Sequence, residues 1–547
     1  MNKMKSMILM MTVVALQFFP VTTLNAQVTE RTRPEAWSRL VPGARFADRF
    51  EPMPAGRTGN GWGWAGVQGR YVDNGIECPT LSFWGGNILR GDDGKYHLMV
   101  CGWREDAPKG HMSWSSSTVL HTVADNPTGP YRIVGNIGAG HNPEAFRLAD
   151  GRYVVYVIDG YYLADSLQGP WMYGHFTFDS RDRRIIEGLT NLTFAPRQDH
   201  SVLMVCRGGG VWISRDGLSP YHQLTDHRVY PAVEGCFEDP VVWRDSLQYH
   251  LIVNDWMGRV AFYERSLDGL HWVIEDGEAY MPGIARHADG KVEEWYKFER
   301  MKVLQDEYGR AVQANFAVID TIKWEDHAHD NHSSKNICIP LNPGLRMEVT
   351  DHAPIESKTR KIHLLVKADR GGKPLSQIDM QSLRFGTHSE VNYGRGAKAV
   401  KMKPCDGGVM ITFDAKGSGI TAAEFAPKLI GRYKDGSLVY GYARLPYVEY
   451  KPAILSARRP IFSADSMTVE VQNFGLSASR PCKATVLVGG KRVADINVAA
   501  LQPYAKCTIQ TNVQADALTG NEAVEVVFVR NGQTFDRNIF TDKETKK

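Results

Sequence analysis

A repeated pattern of apolar and polar positions runs through residues 60–340. Each copy begins with a polar or acidic residue, continues through an apolar strand, turns at Asp-Gly or a similar pair, and returns through a second apolar strand. Asp-Gly between two such strands is a strong hairpin signal. The five copies begin near Asn87, Asn142, Leu192, Asp239 and Glu299.

A second repeated feature follows the hairpin. It consists of a further strand and a short motif such as Gly129-Pro130-Tyr131 or Gly169-Pro170-Trp171. The unit is therefore about four strands, spaced roughly 50–60 residues apart, which is the size of a propeller blade. Five copies predict a five-bladed β-propeller over residues 27–344. A sandwich of similar strands is the alternative, but it does not predict that the hairpin and the motif after it recur together at the same spacing.

The innermost strands of a propeller surround a central channel, and the residues that begin those strands crowd one end of its axis. Polar groups gathered there are costly to bury without a partner. They imply a ligand, ordered water or mutual pairing. We therefore expect a site assembled from residues that are far apart in sequence.

Short strands separated by Gly-rich turns follow from about residue 345. They predict a β-sandwich over residues 345–455. A proline-containing linker then leads to a second, immunoglobulin-like β-sandwich over residues 456–541. The predicted fold class is thus all-β. Neither C-terminal domain contains a catalytic constellation, and both glycan binding and buttressing of the propeller stay open.

The first 26 residues have the features of a secretory signal peptide. Lys3 and Lys5 precede an apolar run over residues 7–19, and small residues end at Ala26. The run is short for a membrane span. We expect cleavage near Ala26 and a periplasmic or secreted protein, with no membrane insertion after cleavage.

Composition restricts the classes of molecule that the protein is expected to bind. The formal net charge is +3, which does not favour nucleic acid as a partner. The 13 Trp and 22 Tyr suit sugar stacking in an exported protein, although most of them fill β-cores. The eight Cys are scattered without a Cys-x-x-Cys pair, which argues against a zinc module and leaves their pairing open.

Two motifs carry a resemblance to a known family: His141-Asn142-Pro143-Glu144-Ala145-Phe146 with Asp150-Gly151, and Gly169-Pro170-Trp171. As a set they resemble the five-bladed propeller glycoside hydrolases related to families 43 and 117, in exported, Bacteroides-like enzymes with C-terminal β-sandwich modules. The resemblance implies hydrolysis of O-glycosyl bonds by carboxylates at the blade starts. It implies a base on the first blade, a pKa-tuning Asp on the second and an acid Glu on the third.

The sequence departs from that pattern on three blades. Gly85 or Gly86 occupies the position of the first-blade base, and the nearest acids are Asp73 and Glu77. The second blade has Asn142 instead of Asp, with Glu144 two residues further on. On the third blade, the Glu-Gly pair at 187–188 precedes the strand by several residues, and an asparagine lies nearer the expected place. The fourth blade alone keeps a clean Asp-Pro.

Glycoside hydrolysis generally needs two carboxyl groups, one of them with a pKa raised by burial or by a neighbouring anion. The candidate catalytic residues are Glu238, Asp239, Glu144 and Glu77. Adjacent residues on a strand point to opposite sides, so one of Glu238 and Asp239 is expected to face the pocket. The alternative is a structural Asp-Pro turn that pairs with a neighbouring blade.

Further residues at strand starts and strand ends are candidates for substrate binding. They are Asn87, Trp103, His141, Asn142, Arg207, Asp255, Trp256, Glu299, Arg300 and His332. Three histidines at 327, 329 and 332 have irregular spacing, which favours a polar closing loop over a metal site. No metal ligand or cofactor is assigned, and a water-coordinated cation on the propeller axis, known in the resembling family, is left open.

These observations predict an exported glycoside hydrolase that cleaves plant or algal polysaccharide fragments. The expected action is exo-acting and inverting, with two carboxyl groups and an oligosaccharide or polysaccharide as substrate. The alternative is a non-catalytic glycan-binding propeller, suggested by the absent first-blade Asp and by Asn142. A structural surface protein is a third hypothesis, which predicts neither binding nor turnover.

Overall fold

The computed structural model describes residues 30–60, 63, 67, 69–186, 188–463, 465–513 and 522–541. The predicted signal peptide, residues 1–26, lies outside the described residues. The all-β class is confirmed, because one short α-helix, His388–Val391, is the only one in the described ranges. Four 3-10 helices accompany the strands: Glu35–Arg39, Phe46–Arg49, Gly110–Ser116 and Leu375–Gln377. Within these ranges, no helix combines the length and apolar character that a bilayer crossing requires.

Five antiparallel sheets follow one another along the chain between residues 81 and 340. Sheet 1 contains Leu81–Arg90, Tyr96–Arg104, Thr118–Ala124 and Arg132–Ala139. Sheet 2 contains Glu144–Arg147, Tyr153–Val157, Gly160–Ala164 and Met172–His175. Sheet 3 contains Thr193–Pro196, Val202–Val205, Val211–Ser214 and Tyr221–Gln223, with Phe178–Asp179 added in parallel. Sheet 4 contains Phe237–Arg244, Tyr249–Asp255, Val260–Ser266 and Val273–Ile274. Sheet 5 contains Lys297–Gln305, Ala311–Ile319 and Ser334–Pro340.

The first strands of these sheets lie side by side. The first strand of sheet 5 contacts the first strands of both sheet 4 and sheet 1, and the latter contacts the first strand of sheet 2. The segment ahead of sheet 1 also reaches sheet 5, through the bridges Ile76↔Asn336 and Phe50↔Leu341. A small ladder of Thr58–Gly59 with Arg70–Tyr71 lies in the same segment. The beginning and the end of the repeat region are therefore neighbours in space.

The next seven strands form a closed barrel, which corrects the prediction of a β-sandwich over residues 345–455. The strands are Arg346–Val349, Lys361–Lys367, Ile378–Gly386, Ala397–Cys405, Gly408–Asp414, Lys428–Tyr433 and Leu438–Arg444. Closure occurs because Arg346–Val349 pairs antiparallel with Lys361–Lys367 and parallel with Leu438–Arg444. Arg346–Val349 therefore pairs on both of its sides and closes the sheet into a barrel, whereas the sheets of a sandwich keep open edges.

The C-terminal strands form two four-stranded sheets that share one core. One sheet contains Leu455–Ala457, Ile461–Phe462, Ser466–Asn473 and Lys506–Asn512. The other contains Cys482–Val488, Lys491–Val498, Val524–Arg530 and Gln533–Phe540. Apolar residues of both sheets, such as Val469 and Phe528, pack in the same cluster. All eight cysteines of the chain are free thiols.

A buried network of charged side chains fixes the barrel against sheet 4. Glu275 contacts Arg265 at 2.7 Å and Lys428 at 3.0 Å, and it accepts hydrogen bonds from Asn392 at 3.1 Å and Tyr442 at 3.2 Å. Burial alone would raise the pKa of Glu275, but Lys428 and Arg265 outweigh burial and hold that pKa well below its ordinary value. We call this group the junction network.

Candidate active site

Each sheet has a residue with a left-handed backbone in the first half of its first strand or two positions before that strand. The φ angles are 65° at Gly85, 55° at Asn142, 49° at Asn191, 55° at Asp239 and 52° at Arg300. In sheets 1, 4 and 5 this residue falls where the ladder shifts register at a β-bulge. A bulge re-aims a side chain without ending the strand. We call these five residues the axial ring.

Contacts within the axial ring show that its members are neighbours. Asn142 donates to Asn191 (3.4 Å), and Asn191 donates to Asp239 Oδ1 (3.3 Å). Arg300 contacts Asp239 through Nη1 (2.9 Å) and through its backbone N–H (3.3 Å). A Cβ placed on Gly85 would lie 3.5 Å from Asn142 Oδ1 and 3.9 Å from Arg300 Cβ. Five distant sequence positions therefore meet at one place, and glycine leaves space there.

A cavity of about 260 Å³ lies against the axial ring. It is lined by Trp84, His111, Met112, Trp114, His141, Asn142, Ile158, Thr190, Asn191, Arg207, Glu238, Trp256, Arg300, Lys323 and Trp324. Of the predicted site residues, the structure brings six to this wall: His141, Asn142, Arg207, Glu238, Trp256 and Arg300.

Two kinds of segment supply the wall. The starts of the first strands supply residues such as Trp84 and Glu238, while the connections between second and third strands supply residues such as Trp114, Arg207 and Lys323. Arg207 and Trp256 were predicted at the ends of second strands. Lys323, Trp324, His111 and Met112 were not predicted, because they lie in connections whose lengths differ between the sheets.

Glu238 and Asp239 are adjacent in sequence but differ in environment. Glu238 lines the cavity, with its Oε1 3.5 Å from Arg207 Nε. The side chain of Asp239 is fully buried in the axial ring. Burial raises the pKa of Asp239 to about 7, although Arg300 acts in the opposite direction. One carboxyl group thus lies on the wall and the other lies behind it.

Glu299, predicted to bind substrate, does not line the cavity. It is buried, and it forms ion pairs with Lys323 and with Lys297, the latter at 3.5 Å. Burial would raise the pKa of Glu299, but the two lysines hold it below its ordinary value. Lys297 also lies 4.2 Å from the centre of the Trp256 ring and donates to the Trp256 carbonyl. Glu299 therefore holds two cations, Lys323, which lines the cavity, and Lys297, which lies behind its wall.

The lining histidines are neutral groups. Burial, together with Arg300, holds the pKa of His141 well below its ordinary value, and its Nδ1 lies 2.9 Å from Ser117 Oγ. Burial and Lys323 do the same to the pKa of His111. Trp103, a predicted binding residue, packs edge-on against His111 with ring centres 5.3 Å apart, and it supports the wall from behind.

Asn87 and Glu144, both predicted site residues, lie one layer deeper than the axial ring and do not line the cavity. Each follows its ring residue by two positions. Asn87 exchanges two hydrogen bonds with the backbone of Ala145, at 2.6 and 2.9 Å. Glu144 is buried and forms an ion pair with Lys302, and Thr193 donates to it at 3.4 Å. Burial raises the pKa of Glu144 against the effect of Lys302. These side chains join neighbouring sheets.

Three further predicted residues lie away from the cavity lining. Glu77 forms an ion pair with the buried Lys335. Asp255 contacts Arg31 at 2.6 Å and accepts from the backbone N–H groups of residues 236 and 258, so it closes a turn. His332 lies 3.4 Å from Asp320. In each case a local partner satisfies the side chain. Among the described residues, no group of three or more His, Cys, Asp or Glu could hold a metal ion.

Comparisons with known proteins cover parts of the chain. Residues 462–537 match the family described as CARDB. No curated protein matches the sequence. Solved structures that are similar to it include the following three. A thermostable family-43 glycoside hydrolase has 12% identity, covering 54% of this chain and 95% of that chain, with a TM-score of 0.32. An α-L-arabinofuranosidase from Lactobacillus brevis has 10% identity, covering 47% and 90%, with a TM-score of 0.33. The GH43 BlXynB protein from Bacillus licheniformis has 9% identity, covering 87% and 96%, with a TM-score of 0.28. All three TM-scores are below 0.5, and these similarities assign no chemistry to the site.

Proposed function

We propose that the protein is a glycoside hydrolase whose five sheets form a five-bladed β-propeller. One observation carries the proposal. The cavity has aromatic walls and pairs a wall carboxylate, Glu238, with a buried carboxyl group, Asp239, whose pKa is raised to about 7. Carboxyl groups whose environments differ in this way suit acid and base roles in one reaction.

The walls suit a sugar. Trp84, Trp114, Trp256 and Trp324 offer apolar ring surface, while amide, hydroxyl and charged groups lie between them. Ligand pockets combine such surfaces with a few polar groups that fix orientation. The volume of about 260 Å³ is below the usual range of about 300–1,000 Å³ for ligand pockets. A small pocket favours one terminal sugar unit and therefore exo action.

The reaction needs a carboxyl group that contacts the sugar and a second one that exchanges a proton. Glu238 is the group in contact with the cavity. Asp239 is withdrawn behind it and retains its proton over a wider pH range than an ordinary aspartate. In an inverting reaction a protonated carboxyl group donates its proton to the leaving-group oxygen, while a carboxylate takes a proton from the water that attacks the opposite face of the sugar ring. We propose that Asp239 and Glu238 take these acid and base roles.

The test is the release of reducing ends from oligosaccharides of plant and algal polysaccharides. Glu238→Gln and Asp239→Asn should each lower turnover by about 10²–10⁴-fold, since each removes a proton-transfer group. The matched control is Asp73→Asn, because Asp73 forms an exposed pair with Arg57 away from the cavity lining. Full turnover in both site variants would contradict the assignment.

A non-catalytic glycan-binding protein is the second candidate. The axial ring favours it, because four of its five positions, Gly85, Asn142, Asn191 and Arg300, lack a carboxylate. In that case, calorimetry would detect binding of an oligosaccharide, while no reducing end would appear from the same oligosaccharide.

We also propose that the chain is exported after cleavage near Ala26 and acts in the periplasm or outside the cell. The C-terminal domains, residues 345–455 and 456–541, then serve to buttress the propeller. Contacts of Arg181 with Ser456 (2.9 Å) and of Arg197 with the Phe474 carbonyl (2.9 Å) support that role.

A further inference from the structure

Cations outnumber acids on the wall of the cavity. Arg207, Arg300 and Lys323 line it, and Glu238 is the one lining carboxylate within the described part of the chain. The two lining histidines are neutral, because burial holds their pKa values well below the ordinary value. The surface that meets a ligand is therefore cationic.

The acids that balance these cations are withdrawn from the cavity. The Asp239 and Glu299 side chains are 0% and 1% exposed, whereas Arg300, Lys323 and Arg207 are 11%, 18% and 41% exposed. The carboxylates thus hold the cations from behind and leave their outer ends to the cavity. Arg300 Nε is also buried without a hydrogen-bond partner among the described residues.

Arg207 and Lys323 are the cations best placed to receive a ligand. Arg207 is the most exposed of the three, and its pair with Glu238 is long, at 3.5 Å. The Lys323 ammonium lies between two aromatic walls, 5.1 Å from the ring centre of Trp84 and 5.9 Å from that of Trp256. Arg300 is the least exposed of the three cations and contacts Asp239 at 2.9 Å, while Lys323 contacts Glu299 from its inner side and is more exposed.

A neutral sugar would offer only neutral acceptors to the outer ends of these cations, whose carboxylate partners Asp239 and Glu299 lie on the side away from the cavity. An anionic group would form charge-assisted hydrogen bonds there, which are about twice as strong as neutral ones. We propose that the cavity selects a sugar unit carrying a negatively charged substituent, a carboxylate or a sulfate, which Arg207 and Lys323 bind. This proposal rests on the proposed function only in taking the ligand to be a carbohydrate.

The experiment is calorimetric titration of the mature full-length protein with matched pairs of oligosaccharides. One pair is an oligosaccharide ending in a uronic acid and its carboxyl-reduced neutral counterpart. The other is a sulfated oligosaccharide and its desulfated counterpart. In at least one pair, the acidic member should bind at least about tenfold tighter, and added salt should reduce this advantage because it screens the charges. The pair that responds identifies carboxylate or sulfate as the group recognised.

Arg207→Met and Lys323→Met should each remove most of that advantage while changing the affinity for the neutral member less. Lys95→Met is the matched control, because Lys95 is an exposed lysine at the hairpin that follows Arg90 and does not line the cavity. Equal affinity for acidic and neutral members, absence of binding by every acidic member, or equal weakening of both members in Arg207→Met would overturn the inference.

Release of reducing ends, measured in the same samples, separates this inference from the proposed function. Tighter binding of the acidic member without any release supports the charge selectivity and contradicts hydrolysis. Release from neutral and acidic members at equal affinity supports hydrolysis and contradicts the charge selectivity.

Discussion

Glu275 and Asp239 are both fully buried carboxyl groups beside cations, yet their pKa values move in opposite directions. In the junction network, Glu275 contacts two cations, Arg265 and Lys428, and its pKa falls. In the axial ring, Asp239 contacts one cation, Arg300, and its pKa rises because burial is reinforced by the nearby acids Glu238 and Glu299.

The difference shows how the same residue types perform two tasks. Where each charge has more than one partner, as at Glu275, the carboxylate stays ionised and joins two parts of the structure. Where partners are fewer and like charges are near, as at Asp239, the carboxyl group exchanges its proton near neutral pH. Strongly perturbed groups beside a cavity are typical of functional sites.

The largest effect is expected from breaking the junction network. Glu275→Gln leaves Arg265 and Lys428 buried without a carboxylate, and it should lower the free energy of unfolding by about 3–5 kcal/mol. Thermal unfolding followed by calorimetry measures the change. Glu348→Gln, which removes an exposed pair with Lys367, is the control and should cost about 1 kcal/mol or less. Equal unfolding temperatures of the two variants would contradict this account.

A smaller effect distinguishes the two carboxyl groups by their pH dependence. The raised pKa of Asp239 means that its contribution to stability is present below its ordinary value of 3.8 and is lost as the pH rises towards 7. Asp239→Asn should therefore gain stability relative to the unsubstituted protein between about pH 4 and 7.

The contribution of Glu275 to stability depends on pH in the opposite direction. Its depressed pKa means that its contribution is present above its ordinary value of 4.5 and is lost as the pH falls below that value. Unfolding temperatures across this pH range, measured for both variants and the unsubstituted protein, provide the check. Parallel curves for the three proteins would show that the two environments do not differ.

The smallest effect concerns the glycine of the axial ring. Gly85 has the same left-handed backbone as its counterparts, and a Cβ there would meet its nearest neighbours at 3.5 Å. Gly85→Ala should cost about 1–2 kcal/mol, which is the left-handed backbone penalty alone. Gly86→Ala should cost more, because its Cβ would lie 2.2 Å from the Met99 carbonyl oxygen. Denaturant unfolding compares the two, and equal costs would contradict the ring geometry.

The fold was predictable where local rules determine it. Alternation and Asp-Gly turns are properties of adjacent residues, and they indicated hairpins such as Leu81–Arg90 with Tyr96–Arg104. The barrel was not predictable in this way. Its closure depends on pairing Arg346–Val349 with Leu438–Arg444, which are far apart in the chain and show no sequence signal for their parallel register.

The sequence indicated which strand starts face the candidate site, but not how far from the cavity each side chain along those strands lies. Glu238 and Asn142, predicted as site residues from the strand starts, lie on the cavity wall. Glu144 faces the same axis, but it lies two positions along the strand, or about 7 Å deeper, where Lys302 satisfies it. Lys323 belongs to a connection whose length varies between copies, so the repeat offered no fixed position for it.

Because every member of the axial ring comes from a different sheet, its composition can change one residue at a time. The five positions now hold a glycine, two amides, one acid and one base, and all keep the same left-handed backbone. A point mutation at any of them would change one side chain at the axis while the other four strands keep their pairing. Evolution can therefore replace the chemistry of such a cavity in single steps without rebuilding the protein around it.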